Sequence, residues 1–220
     1  MDKKMDYYSL NIVGSDEVGV GDVFGPLVVT SSFIEADNIE AIKKLGVKDS
    51  KQLTDKKIYE IAPKLMNLVK HKTIIFNNCD YNKIYNQYKN SHILKALGHN
   101  KVIWEMLNDY GPKIRAFYID QFVNEKKYFE YLTDKKNIVT ENIFFLTKGE
   151  SKLASIAISS IISRYLFLES MKALAKQHNL KQLPLGCSNQ TKLIAQKYQQ
   201  NETLYNQIAK EHFNIKIKKN

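Results

Sequence analysis

The chain has only two cysteines, Cys79 and Cys187, far apart and without a metal-ligand spacing, so a disulfide framework and a structural zinc site are both excluded. It has few chain breakers as well. Nine glycines and four prolines, scattered over 220 residues, form no flexible linker. Long apolar runs are missing: the richest stretch, from Ile156 to Leu168, is interrupted by Ser159, Ser160, Ser163 and Arg164, well short of the roughly 18 apolar residues a membrane span needs. The charged start, Met1-Asp2-Lys3-Lys4-Met5-Asp6, leads into no apolar leader, so a cytoplasmic protein is expected. Arginine is almost absent, with Arg115 and Arg164 the only two among 33 basic residues.

What is present is lysine. The net charge is +10, which favours a polyanion such as nucleic acid, because each lysine near a phosphate releases condensed counterions. The excess of Lys, Asn, Ile and Tyr also follows A/T-rich codons, so charge alone leaves the partner open. At 25.5 kDa, with 44% apolar and 25% charged residues, the chain can bury roughly 70% of its unfolded surface, and one domain over 1–220 is expected. No sequence signal marks oligomerisation, so a monomer is expected.

Five short β-branched and aromatic runs predict strands: Tyr7 to Val13, Pro26 to Ile34, Lys72 to Phe76, Ile114 to Ile119 and Ile143 to Leu146. The first two flank a glycine-rich turn. Apolar residues at three- and four-residue spacing predict helices over Lys56 to Val69, with Thr54 as N-cap, over Ser91 to Asp109, and from Ser151 through Tyr165 and Leu168. After Pro184-Leu185-Gly186, two shorter helices over Gln190 to Tyr198 and Glu202 to His212 form a C-terminal helical part, about 184–220. Strands interleaved with helices imply an α/β fold, a mixed five-stranded sheet flanked by helices.

Three acidic sites follow strands and meet turns: Asp16-Glu17, Asp120 and Glu150. Strand ends gather at one edge of an open α/β sheet, so these acids can converge there. Crowded carboxylates repel and are costly to desolvate; hard oxygen ligands in that number select Mg2+ or Mn2+, and two ions would clamp an in-line phosphodiester displacement. Neighbouring side chains on a strand point to opposite faces, so Asp16 and Glu17 both ligate through side chains only if the strand has already broken; otherwise Glu17 offers its main-chain carbonyl. Singly, each acid is equally an ordinary strand-end or helix-start residue. Gly19-Val20-Gly21 would bring main-chain amides to a sugar-phosphate chain, although on spacing alone a plain hairpin turn is the better explanation. Lys48, Ser50, Lys51 and Lys148 would contact phosphates if they are more than solvated surface. Asn100, beside Trp104, is a further candidate substrate contact, and His99 reads as a surface or half-buried histidine. The serines after Ser151 serve close helix packing rather than nucleophilic catalysis.

Gly14-Ser15-Asp16-Glu17-Val18-Gly19-Val20-Gly21-Asp22-Val23-Phe24-Gly25-Pro26 closely resembles the first signature of the prokaryotic type 2 ribonucleases H, in particular the ribonuclease HIII branch. Later blocks are similar in order: Gly46 to Thr54, Leu97-Gly98-His99-Asn100-Lys101, Ile119-Asp120-Gln121-Phe122, Thr147 to Lys152 with the helix that follows, Leu183 to Gly186 and Glu211-His212-Phe213. The resemblance implies a ribonuclease H-like fold and endonucleolytic cleavage of the RNA strand of RNA/DNA hybrids, with 5′-phosphate and 3′-hydroxyl products. It places the four metal-binding acids on Asp16, Glu17, Asp120 and Glu150, with two Mg2+ or Mn2+ ions in the substrate complex. It places substrate contacts on the glycine turn and on Lys48, Ser50 and Lys51. Val20 stands where the HII branch carries arginine, Glu150 where that branch usually has aspartate, and no counterpart of its junction-reading tyrosine appears near Leu183 to Cys187. Leu185 and Cys187 depart from the usual Leu-Pro-Lys-Gly-Ala block. The HIII branch commonly carries an N-terminal substrate-binding domain of roughly 80 to 90 residues; with the signature starting at Gly14, it is expected to be absent here. Two alternatives remain: an HII-type enzyme incising at single ribonucleotides in duplex DNA, and a hybrid-binding module without catalysis.

Overall fold

A computed structural model describes residues 6–47, 53–213 and 215. Its sheet has the order β3-β2-β1-β4-β5, built from β1 (Ile12–Val18), β2 (Leu27–Ile34), β3 (Val69–Phe76), β4 (Ala116–Asp120) and β5 (Ile143–Leu146). β1 pairs antiparallel with β2 and β2 with β3, whereas β1–β4 and β4–β5 are parallel. The expected mixed five-stranded sheet is therefore present, opening with a hairpin around the glycine turn.

The helices are α1 (Ile39–Lys44), α2 (Asp55–Leu68), α3 (Asn78–Tyr88), α4 (Ser91–Tyr110), α5 (Glu125–Leu132), α6 (Ala154–Gln177), α7 (Asn189–Tyr198) and α8 (Glu202–Ile208). α6 lies across β1 and β2 on one face of the sheet, and α4 crosses the other. All eight residues of β2 are buried, as an interior strand covered on both faces requires. α2 presents Ile58, Ile61, Ala62 and Leu65 to the α6-side core, each large aliphatic side chain contributing about 1.5–3 kcal/mol. Thr54 caps it by accepting from the Lys57 N–H, as expected.

Several boundaries differ from the sequence expectation: the third strand starts at Val69 rather than Lys72, the fourth is Ala116–Asp120 rather than Ile114 to Ile119, and three others bear on the site. The first strand is Ile12–Val18 rather than Tyr7 to Val13, so it runs through Ser15, Asp16 and Glu17 despite their poor strand propensity. The β2 ladder, which continues through Val18, and the β4 ladder, which reaches Ser15, outweigh propensity there. Gly14 makes that position accessible to α6: a Cβ would stand 2.2 Å from the Ile156 nitrogen. The long helix starts at Ala154, because residues 149–151 form a 3-10 turn. The last helix stops at Ile208 instead of His212, since Ala209 turns extended and bridges the backbone of Phe24. α1, α3 and α5 were not anticipated. Of the α6 serines, Ser159 and Ser163 donate to the carbonyls of Gly14 and Asp16, so they bind helix to strand as packing residues. Among the described residues no helix is long and apolar enough to cross a membrane.

Candidate active site

Asp16 lies inside β1 and Asp120 ends β4, the neighbouring parallel strand. Asp16 is 8% exposed. Burial pushes its carboxyl well above the usual carboxylate range, and the charges of Glu17 and Asp120 push the same way, against hydrogen bonds from Ser160 and from the Glu17 N–H. Glu150 follows β5 in the 3-10 turn 149–151 and is 5% exposed. That turn is tied to the strand ends: the Gly149 N–H donates to Asp120 Oδ1 at 2.7 Å, and the Tyr7 hydroxyl donates to the Glu150 carbonyl at 3.2 Å. Lys148, immediately before, holds a left-handed backbone (φ 53°) and is exposed.

Glu17 goes the other way. Because β1 does not break, strand alternation turns its side chain to the α4 face, where it pairs with Lys95 and accepts from His99 Nε2 at 2.9 Å. Burial pushes its carboxyl up, but the hydrogen bond and charge of His99, followed by Lys95, outweigh burial and hold it below the usual range. His99 Nδ1 is 2.7 Å from Ser15 Oγ, and its ring stacks on Phe122, over which the Lys95 ammonium sits at 4.2 Å. His99 is fully buried, which corrects its reading as a surface or half-buried residue; it fills the space between strand and helix. Lys95 was missed altogether. The available signal was its four-residue spacing from His99, which puts both on one helix face.

The remaining candidates divide. Gly19 (φ 106°) begins the loop after β1, Val20 is half-buried, and Gly21 is exposed with nothing within 4 Å of where a Cβ would stand. Asn100 is 7% exposed and its amide is committed to the loop over α4, donating to the Asn137 carbonyl and accepting from the Val139 N–H. Lys48, Ser50 and Lys51 lie outside the described residues.

Asp16, Asp120 and Glu150 offer hard oxygen donors, and the burial of Asp16 beside another carboxylate is the condition a divalent cation relieves, so this donor set fits Mg2+ or Mn2+. As placed, no group of three His, Cys, Asp or Glu among the described residues is arranged to hold an ion.

A mixed sheet carrying the buried Asp16 and the half-buried Asp120 on adjacent parallel strands agrees with what comparison finds. The family model described as Ribonuclease HII matches residues 13–216, and the chain belongs to that family. Within it, the chain is similar to proteins named ribonuclease HIII: it is 40% identical over 190 residues to that of Bacillus mycoides (strain KBAB4), covering 86% of this chain and 61% of the relative. The chain thus spans about three fifths of the length of the curated relatives it matches. The crystal structure of Bst-RNase HIII in complex with Mn2+ superposes with a TM-score of 0.88 at 38% identity, covering 94% of this chain and 68% of that one. That of Aquifex aeolicus RNase H3 gives 0.77 at 25% identity, covering 94% and 74%.

Proposed function

We propose that the chain is an endoribonuclease that hydrolyses the RNA strand of RNA/DNA hybrids, leaving 5′-phosphate and 3′-hydroxyl ends, with Mg2+ or Mn2+ as cofactor. The observation that carries this reading is Asp16, a carboxylate raised by its own burial and by the charges of Glu17 and Asp120, in a chain of the ribonuclease HII family. Its likeness to an HIII enzyme whose crystal structure contains Mn2+ supports the choice of metal.

Asp16, Asp120 and Glu150 would hold the metal through side chains, with Glu17 contributing its main-chain carbonyl. When bound, a pair of divalent ions supplies an activated water and stabilises the departing 3′-oxygen. The protein's own part is orientation. Ser160 and the Glu17 N–H fix the Asp16 carboxylate, and the Gly149 N–H fixes that of Asp120. Lys95 and His99 keep the Glu17 side chain turned toward α4, away from the Asp16 face. The loop Gly19-Val20-Gly21 presents main chain to the sugar-phosphate backbone, and Lys148, with Lys48, Ser50 and Lys51, contacts phosphates. The 2′-hydroxyl, read across the shallow minor groove, distinguishes RNA from DNA.

The test is cleavage of a uniformly labelled hybrid by the full chain with Mg2+ or Mn2+. We expect cutting along long RNA tracts that chelation abolishes and that Asp120→Asn reduces by at least about 100-fold. Undiminished turnover in that variant refutes the assignment. Cutting confined to a single ribonucleotide in duplex DNA would make the enzyme HII-like, and tight binding without cleavage would make it a binding module.

A further inference from the structure

Beneath the loop that follows β1, a lysine is buried against main chain. Lys210 is 0% exposed. Its Nζ donates to the carbonyl of Asp22 at 2.9 Å and to that of Gly25, its own N–H donates to the Val23 carbonyl at 2.8 Å, and the Tyr81 ring lies 5.5 Å away. The Asp22 carboxylate attracts the ammonium through space while it accepts the Gly186 N–H at 2.6 Å. Burying an ammonium costs several kcal/mol, and a methionine would fill the same space without that cost. What lysine adds is converging N–H donors, and two of them are spent on carbonyls three residues apart, bracketing Asp22 to Gly25.

Other ties to this segment come from outside the loop. Asn78 Nδ2 donates to the Gly25 carbonyl at 3.0 Å, Gly25 N–H to Ile208 at 3.1 Å, and Val23 N–H to Gly186 at 3.1 Å, while Phe24 bridges Ala209. The loop therefore has two halves. Residues 22–25 are clamped from beneath, largely by the C-terminal segment, and Val23 and Phe24 are fully buried. Gly21, just before, stands open to the surface.

We propose that Lys210 is the positioning residue of the glycine loop: by holding the Asp22 and Gly25 carbonyls from below, it sets the direction in which Gly19-Val20-Gly21 meets the sugar-phosphate chain of the hybrid. This rests on the ribonuclease reading and gives the C-terminal segment a part in substrate binding. Burial pushes the Lys210 pKa down to about 7, against the pull of Asp22; the neutral amine still carries two N–H donors, so the tether survives in either form.

The decisive variant is Lys210→Met in the full chain, assayed on the hybrid at saturating Mn2+ and followed by amide hydrogen exchange. We expect KM to rise about tenfold with kcat within about threefold, and amides of 19–25 to exchange at least about tenfold faster while those of β1 and β2 are unchanged. Unchanged KM with unchanged exchange overturns the proposal. So does a joint fall in kcat with faster exchange across the whole sheet, which would make Lys210 a general stabiliser. Should the methionine variant fail to fold, Asn78→Ala removes the neighbouring donor to Gly25; a rise in KM of about threefold with faster exchange of 19–25 supports the tether, and no change in either overturns it. If the wild-type chain leaves hybrids uncut, the ribonuclease reading falls. Exchange at 19–25 then decides the tether, and slow exchange in the variant rejects it.

Discussion

Asp16 and Glu17 are adjacent in sequence, and the two faces of β1 treat them oppositely. On the α6 face, burial and the charges of Glu17 and Asp120 disfavour the ionised form of Asp16 and outweigh the hydroxyl and amide donors that favour it. On the α4 face, Glu17 is buried beside Lys95 and His99 and its ionised form is favoured. The difference lies in where the compensating cation comes from. One carboxylate has its positive charge built into the chain, whereas under the proposed function the other would receive its cation from outside. A strand that passes through both acids without breaking is what permits this separation, because alternation sends successive side chains to opposite sides.

The largest expected effect tests the Asp16 face. Asp16→Asn keeps the shape and removes the charge, so hybrid cleavage should fall at least about 100-fold. In metal-free buffer the same variant should melt higher than wild type, by roughly 2–4 °C if about 1 kcal/mol of charge burial is relieved. Calorimetry beside a cleavage assay checks both; a variant that loses activity and also melts lower would make Asp16 a structural acid like its neighbour.

The α4 face should respond with the opposite sign. Lys95→Met leaves Glu17 buried with His99 alone, and breaking a buried pair costs about 3 kcal/mol, a fall in Tm of roughly 6–12 °C. Glu17→Gln should destabilise in the same direction by stranding Lys95. A cycle over Lys95→Met and Glu17→Gln measures the coupling; additive effects would dissolve the contrast between the faces.

How much of this was legible in the sequence depends on what carries each signal. β5 is bounded as expected at Ile143 and Leu146 because a compact apolar run sits between polar turns. α2 was visible because its core face is aliphatic. α3 was invisible for the converse reason: its buried residues are Asn78, Tyr81 and Asn82, and Asn82 is used for hydrogen bonds to the 206–211 segment, which an apolar period does not register. In the site, alternation alone foretold that Asp16 and Glu17 would part company on an unbroken strand. The identity of Glu17's partners was not legible, since pairing a strand residue with Lys95 and His99 requires knowing that α4 crosses that face. The partners of Asn100 were not legible for a similar reason: that its amide bonds the Asn137 carbonyl and the Val139 N–H depends on where the 137–139 loop crosses α4.

A third buried charge extends the comparison and gives the smallest expected effect. Lys210 has neither a built-in carboxylate contact like that of Glu17 with Lys95 nor a place where an external ion is implied; main-chain carbonyls serve it instead. Its pKa is pushed from 10.5 down to about 7, chiefly by burial. Between about pH 7 and 10.5 the unfolded chain therefore binds more protons at this residue than the folded one, so this contribution makes stability rise with pH across that window, and below it the cost of burying the charge is fully present. The other lysines and tyrosines titrate in wild type and in Lys210→Met alike, so the difference between the two isolates the one group. The advantage in Tm that methionine gains by removing the charge should be greatest below pH 7 and shrink steadily toward pH 10. Parallel melting curves at pH 6, 8 and 9.5 check the sign: a gap that stays constant would mean that the carbonyls solvate the ammonium as well as water does, and that Lys210, like Glu17, is fully compensated from within.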